Sequence, residues 1–275
     1  STPIKSSAAS DVYKRQLDDN GFQELKQSER WNLEKGGKYY VKKNDTAIFG
    51  FVIGETPLDQ SGFNMISAHS DSPCFRIKPN PEMLADGVLK LNTEVYGGPI
   101  LYTWFDRPLS LAGRVIVRNP QNPARPITKL IDFASPVLII PHLAIHFNRN
   151  VNAGNPLSKQ KDMLPIAAIV SDSMSKNNFL IDQIKERLEI ADSKDILDFD
   201  LMLYNCQKSQ LVGFNKEFIC SGRIDDLSMA HAALSALLNS DNPATTKVMA
   251  IFDNEETGSG TKQGAASPVL ASILH

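Results

Sequence analysis

The chain has 275 residues, 42% of them hydrophobic, and its 29 basic and 31 acidic residues give a formal net charge of -2. A chain of this length can bury one large core or two ordinary ones. Its balanced charge argues against nucleic acid or an anionic membrane as a partner. Cys74, Cys206 and Cys220 form no closely spaced pair, which argues against a disulfide framework and favours a reducing cytoplasm. No apolar run approaches the roughly 20 residues of a membrane span.

Residues 1–16 are small and polar without clear periodicity. We expect them to form a poorly ordered leader or a segment that is not native to the fold. The native domain is predicted to begin near Leu17, with a short helical piece after Asp19. Turn residues between β-rich runs then predict a hairpin that pairs residues 38–41 with residues 46–53.

A third strand is predicted over residues 63–68, and it ends in His69-Ser70-Asp71. Residues at i and i+2 of a strand point to the same side. The imidazole of His69 can therefore bind a metal while the carboxylate of Asp71 accepts its other N–H and fixes the tautomer. A purely structural histidine is the alternative interpretation.

The character of the sequence changes between residues 86 and 198, where Asn, Pro and Gly interrupt short β-type runs. This pattern indicates a β-rich domain inserted between residues 17–85 and residues 199–275. Within it, Pro141 is predicted to begin a helical turn on which His142 and His146 share a face. The turn lacks the glutamate of a zinc-binding helix, so spacing alone favours packing or solvent exposure for both histidines. Residues 180–191 have the periodicity of an amphipathic helix.

A strand predicted over residues 199–204 is followed by Asp225-Asp226, directly before a helical pattern that spans residues 227–238. Either aspartate can cap this helix and complement its dipole. That role leaves the other carboxylate free to bridge two cations.

The apolar run over residues 248–252 ends in Asp253, Glu255 and Glu256 and then breaks at glycine. Such a run is typical of a buried strand that delivers polar side chains to the rim of an α/β sheet. A solvated turn is the alternative, because charged turn residues are common. Two adjacent glutamates can also divide the tasks of metal ligand and general base. With His69 and Asp225 at other strand and helix ends, the sequence predicts a hydrolytic metal site.

Five motifs occur in order along the chain, at residues 68–74, 96–98 with 103–107, 140–146, 223–227 and 252–259. Together they resemble the aspartyl aminopeptidases, family M18 of the dinuclear zinc peptidases, from about Leu17 to the end of the chain. The resemblance implies an α/β fold of the zinc-peptidase (phosphorylase/hydrolase-like) type, a mixed sheet with helices, interrupted by the β-rich domain. It also implies that this inserted domain serves oligomerisation, in a homo-oligomer built from dimers that forms a dodecamer in the intact protein.

The resemblance further implies an aminopeptidase with two zinc ions per subunit, acting on peptide substrates with N-terminal Asp or Glu. By the same resemblance, His69 would ligate one zinc, Asp225 would bridge both ions and Glu256 would ligate the second. Asp71 would orient His69, and Glu255 would be the general base. A histidine of the inserted domain, His146 first and His142 second, would bind substrate in the site of a neighbouring subunit.

The family supplies two further ligands, an aspartate and a histidine, after the glutamate pair. No aspartate follows Glu256 in this sequence, and the last residue is His275, which is not expected to replace the missing histidine. We therefore expect a fragment that binds zinc weakly, has little activity and leaves part of its sheet uncovered. Two alternative functions are a dinuclear zinc amidohydrolase for acylated amino acids and a non-catalytic assembly protein.

Overall fold

The computed structural model describes residues 6–171, 177–241 and 243–275. It divides the chain into two compact units, Ser1–Ser72 with Ser221–His275, and Pro73–Cys220. The described residues contain α-helices α1 (Ser6–Asp19), α2 (Leu58–Ser61), α3 (Phe179–Arg187), α4 (Ile224–Asn239) and α5 (Val269–Leu274). The strands are β1 (Gln23–Leu25), β2 (Lys38–Lys43), β3 (Ala47–Val52), β4 (Phe63–His69), β5 (Cys74–Ala85), β6 (Val88–Tyr96), β7 (Leu109–Val117), β8 (Ile127–Asp132), β9 (Ile166–Ile169), β10 (Ile196–Asn205), β11 (Gln210–Val212), β12 (Phe218–Cys220) and β13 (Thr246–Phe252).

The first unit contains a mixed five-stranded sheet in the order β1-β2-β3-β13-β4. The β2–β3 hairpin that the sequence predicts is confirmed, and β13 runs antiparallel to β3 and parallel to β4. Because side chains alternate along a strand, successive residues of β13 reach different cores. Met249 and Ile251 pack with α1 and α4, whereas Val248, Ala250 and Phe252 pack with α5. The mixed α/β architecture expected from the sequence is therefore confirmed.

The structure differs from the expectation for residues 1–16, because helix α1 begins at Ser6. Ser10, Tyr13 and Leu17 are buried and lie on one face of α1, at the three- and four-residue spacing of an α-helix. The hydroxyl of Tyr40, a residue buried on β2, lies 2.8 Å from Oδ1 of Asp18 and 3.1 Å from Oε2 of Glu24, either of which can accept its hydrogen. The described part of the leader is therefore an ordered helix, and it ends at Asp19 rather than beginning after it. That residues 1–16 are not native to the fold stays a prediction.

The second unit is a β-rich body around a six-stranded antiparallel sheet in the order β8-β7-β10-β5-β6-β9. Leu180 and Ile184 of α3 belong to its core. The unit runs from Pro73 to Cys220, wider than the residues 86–198 expected from composition, because β5 and β10 pair with each other at Arg76 and Met202. Its role in oligomerisation stays a prediction.

The helical turn predicted from Pro141 is wrong. Residues 138–140 are extended and form isolated bridges with Leu109, Phe105 and Ile166. The backbone N–H of His142 then donates to the carboxylate of Asp106, and only a short turn at residues 145–147 follows. Since no helix forms there, the shared helical face of His142 and His146 does not exist.

No helix in the described ranges is long and apolar enough to cross a membrane.

We expect the Leu17→Ala substitution to lower the free energy of unfolding by about 2–5 kcal/mol, the range for large-to-small changes in a packed core. The reason is that Leu17 is fully buried in the cluster that joins α1 to α4 and the sheet. Urea denaturation followed by tryptophan fluorescence measures the loss. The matched control is Arg15→Ala, an exposed position of the same helix, where we expect less than about 0.5 kcal/mol. Equal effects at both positions would show that α1 does not depend on this packing.

Candidate metal centre

The ends of β4 and β13 bring two distant segments of the chain together. The strands run parallel, with His69 opposite Phe252, and the N–H of Ser70 donates to the carbonyl oxygen of Phe252 at 3.0 Å. Because the carboxyl ends of parallel strands lie at one edge of a sheet, residues 69–71 and 253–256 emerge side by side. This topology positions the candidate site.

The carboxylate of Asp71 joins the two segments. It is buried, and its two oxygens accept the backbone N–H groups of Glu255 and Glu256, each at 3.2 Å. Oδ1 also lies 3.3 Å from Nδ1 of His69. Through these contacts Asp71 holds the end of β4 and the turn that carries the glutamates close together.

The surroundings of the His69 ring define its tautomer. Nδ1 lies 3.2 Å from the carbonyl oxygen of Asp71 and 3.3 Å from its carboxylate, and both groups accept hydrogen bonds. A hydrogen on Nδ1 satisfies these acceptors, and in that tautomer the lone pair of Nε2 is available as a metal ligand. This geometry fits the orienting role that the sequence predicts for Asp71.

Nε2 of His69 faces several carboxylates. Its distances are 3.3 Å to Oδ1 of Asp225, 3.7 Å to Oε2 of Glu255 and 3.9 Å to Oδ2 of Asp226. His69, Glu255 and Glu256 each offer one ligand atom within 4.8 Å of the others. Asp225 is not in that set, but it lies beside the same ring nitrogen. The structure thus brings His69, Asp71, Asp225, Glu255 and Glu256 together, while their individual roles stay predictions.

The crowding of negative charge alters the pKa values at the site. Burial tends to lower the pKa of His69, but Asp71, Asp226, Glu255 and Asp225 together outweigh it, so the pKa lies above its ordinary value. The pKa of Glu256 is also raised, first by burial and then by the charge of Asp71, with His69 opposing and Asp225 and Glu255 adding to the increase. A cation would relieve both effects.

The donor set fits zinc. Two ligands of a tetrahedral zinc, each about 2.0–2.1 Å from the metal, stand roughly 3.3 Å apart. Nε2 of His69 and Oδ1 of Asp225 are 3.3 Å apart. Imidazole nitrogen and carboxylate oxygen are both normal zinc ligands, and a lone pair directed at several carboxylates is unfavourable until a cation lies between them.

Asp226 is a site residue whose role the sequence analysis missed. Its Oδ2 accepts the backbone N–H of His69 at 3.1 Å. This hydrogen bond fixes the end of β4. Asp225 and Asp226 both have non-helical backbone angles, the peptide bond between them is cis, and the N-cap residue of α4 is Arg223. The sequence signal was the aspartate pair itself, which helix capping seemed to explain.

The loop after β13 contains a second set of missed residues. Asn254 has a left-handed backbone with φ 62°, and its side-chain oxygen accepts hydrogen bonds from Oγ1 of Thr261 at 2.8 Å and Nε2 of Gln263 at 2.9 Å. The N–H of Asp253 donates to the carbonyl oxygen of Gln263 at 3.2 Å. Gln263 is buried. Together with the hydrogen bonds to Asp71, these contacts hold the turn that carries Glu255 and Glu256.

The two histidines of the second unit have different surroundings. The half-buried His142 ring packs 4.5 Å from the Phe105 ring, centroid to centroid, and its Nδ1 lies 3.0 Å from the carbonyl oxygen of Leu143. His146 is exposed in the turn that follows. Their proposed part in substrate binding stays a prediction.

A mixed α/β sheet with an imidazole among carboxylates at one edge is the framework of a metallohydrolase. The sequence model of the aminopeptidase I zinc metalloprotease family, M18, matches residues 5–275. A probable M18 family aminopeptidase 2 from Clostridium novyi is 52% identical over 267 residues, 97% of this chain and 61% of the relative. Its counterpart from Clostridium acetobutylicum is 51% identical over 265 residues, 96% of this chain and 61% of that protein.

A solved structure of mApe1 from Chaetomium thermophilum has 32% sequence identity and a TM-score of 0.89, covering 99% of this chain and 64% of that one. The chain belongs to the M18 zinc metalloprotease family. It spans about 61% of the length of the two clostridial relatives.

We expect the Gln263→Met substitution to weaken zinc binding by this chain about tenfold, the lower end of the effect for residues that support metal ligands. The methionine cannot donate to Asn254, so the turn carrying Glu255 and Glu256 loses a constraint. Competition with a chromophoric zinc chelator measures the affinity. Gln60→Met, at an exposed position of the same unit, is the control and should leave the affinity unchanged. Equal affinities of both variants and the unsubstituted chain, with native circular dichroism, would exclude the role of Gln263.

Zinc affinity should fall as the pH is lowered, since a proton competes with the metal for Nε2 of His69. The pKa of His69 is raised above 6.5, so the loss begins above that pH and then approaches about tenfold per pH unit. Protonation of Glu256, whose pKa is also raised, adds to the loss at lower pH. The chelator competition between pH 8 and pH 5.5 measures the slope. A constant affinity between pH 8 and pH 6 would contradict a histidine ligand with a raised pKa.

Proposed function

We propose that the whole protein is a zinc-dependent aminopeptidase that removes the N-terminal residue of peptides. The observation that carries the proposal is the convergence of His69, Glu255 and Glu256, whose ligand atoms lie within 4.8 Å of one another, with Asp225 beside the same imidazole nitrogen. Family membership supports a zinc peptidase rather than another metal-dependent activity.

We assign two zinc ions per subunit to this centre in the whole protein. His69 and Glu256 would each hold one ion, and Asp225 would contribute its carboxylate to both. Asp225 suits that role because its side chain is 85% exposed and its Oδ1 is only 3.3 Å from Nε2 of His69.

Glu255 is the proposed general base. Its side chain is 56% exposed and Oε2 lies 3.7 Å from Nε2 of His69, so it can reach both the centre and an incoming substrate. Bound zinc supplies Lewis-acid polarisation of the scissile carbonyl and lowers the pKa of the attacking water. The carboxylate of Glu255 accepts a proton from that water and delivers it to the nitrogen of the leaving amine. Asp71 keeps Glu255 in place through its backbone N–H.

The substrates proposed are peptides with a free N-terminus, with Asp or Glu preferred at the first position. His146, and after it His142, is proposed to contact the substrate bound by a neighbouring subunit. The exposed His146 ring is available for such a contact, whereas the His142 ring already packs on Phe105. This function requires the predicted homo-oligomer, a dodecamer built from dimers, which sedimentation of the whole protein measures.

We expect Glu255→Gln in the whole protein to reduce kcat by about 10²–10⁴-fold, the usual contribution of a general base. Zinc content should be unchanged, because the ligands remain. Release of N-terminal Asp or Glu from short peptides measures activity, and metal analysis of the purified protein measures zinc. The exposed Glu55 of the same unit supplies the control variant Glu55→Gln, for which we expect full activity.

Retained activity in the Glu255→Gln variant would remove Glu255 from the mechanism. Cleavage of N-acylated amino acids without any cleavage of free N-termini would instead support the amidohydrolase. A whole protein that assembles but binds no zinc and cleaves neither class would support the assembly protein.

A further inference from the structure

The second unit contains a cavity of about 310 Å³, within the size range of small-molecule sites. All of its lining residues belong to Pro73–Cys220, so it is a different site from the candidate metal centre. The lining residues are Lys90, Phe105, Pro141, His142, Leu143, Asn148, Asn155, Leu157, Lys161, Asp162, Leu164 and Ile166.

Half of this lining is apolar or aromatic. Phe105 and Leu164 are buried, and the ring of His142 meets that of Phe105 edge to face. Ile166 lies on β9 opposite Lys90 of β6. These side chains form a wall that suits a compact apolar group.

Two lysines give the cavity its charge. Lys90 is half-buried, and Lys161 lies in the loop at residues 158–162. Within the described part of the chain, no carboxylate lies within ion-pair distance of either ammonium group. Asp162 also lines the cavity, but its Oδ2 accepts the backbone N–H of Ser158 at 2.7 Å. Among the described residues, the two lysines and Asp162 therefore give the lining of the cavity a net charge of +1 (2 − 1).

We propose that this cavity binds a small organic anion, a carboxylate attached to a compact apolar body. The carboxylate lies between Lys90 and Lys161, and the apolar body packs on Phe105, Leu164 and Ile166. Charge-assisted hydrogen bonds to the lysines provide orientation, and burial of the apolar body provides most of the affinity. None of His69, Asp71, Asp225, Glu255 and Glu256 lines this cavity.

The test uses the 275-residue chain with 4-phenylbutyrate as the anion and 4-phenylbutanamide as its uncharged analogue. Chemical-shift changes in the protein's NMR spectrum during titration give the dissociation constant of each compound. We expect 4-phenylbutyrate to bind about tenfold more tightly than the amide, the difference expected from a hydrogen bond to a charged group. Inorganic phosphate, an anion without an apolar body, should bind more weakly than 4-phenylbutyrate.

Lys90→Met and Lys161→Met should each weaken binding of 4-phenylbutyrate several-fold and leave binding of the amide unchanged. Lys159→Met is the matched control, because Lys159 belongs to the same loop but does not line the cavity. Thermal unfolding of each variant establishes that it is folded. The proposal is overturned if the acid and the amide bind equally, or if phosphate binds as tightly as the acid. It is also overturned if Lys159→Met weakens binding as much as Lys161→Met does. Absence of binding at a 10-fold molar excess of ligand over millimolar protein would overturn it as well.

Discussion

The carboxylate of Asp71 is the contact on which the metal centre depends. It faces Nδ1 of His69 at 3.3 Å and accepts the backbone N–H groups of Glu255 and Glu256 at 3.2 Å. These partners lie more than 180 residues apart in the chain, yet one buried side chain sets the tautomer of the histidine and the position of both glutamates. The parallel pairing of β4 and β13 makes this possible, because it places the ends of both strands at the same edge.

The centre concentrates negative charge around one imidazole nitrogen. Carboxylates of Asp225, Glu255 and Asp226 lie within 4 Å of Nε2. Negative charges gathered around one atom repel one another when they are partly withdrawn from water. Without a metal, the pKa values of His69 and Glu256 are raised. A proton retained by Glu256 removes a negative charge from the site, and a proton retained by His69 adds a positive one. The same electrostatics favour a divalent cation, which explains why a stable fold can keep this arrangement.

Much of the fold could be predicted from the sequence, because local patterns define it. The β-rich runs of β2 and β3, separated by turn residues, and the apolar run of β13 are local signals, and the confirmed strands follow them. Contacts that depend on distant residues could not be predicted in this way. Gln263 is buried and donates to Asn254, and no spacing in the loop predicts that contact. Pro141 suggested a helix, but the N–H of the following residue donates to the carboxylate of Asp106, and no helix forms there.

The candidate site was predictable to the extent that its residues lie at the ends of strands or the start of a helix, which is why His69, Asp225 and the glutamate pair could be named. What the sequence could not show is how adjacent glutamates differ. Glu255–Thr257 form a 3₁₀ turn, in which consecutive side chains diverge by about 120°. The divergence leaves Glu255 56% exposed, while Glu256 is partly buried and has a raised pKa. Different surroundings are what allow paired carboxylates to take different chemical roles. Because Asp71 binds both backbone N–H groups, the two side chains can differ in environment without either losing its position.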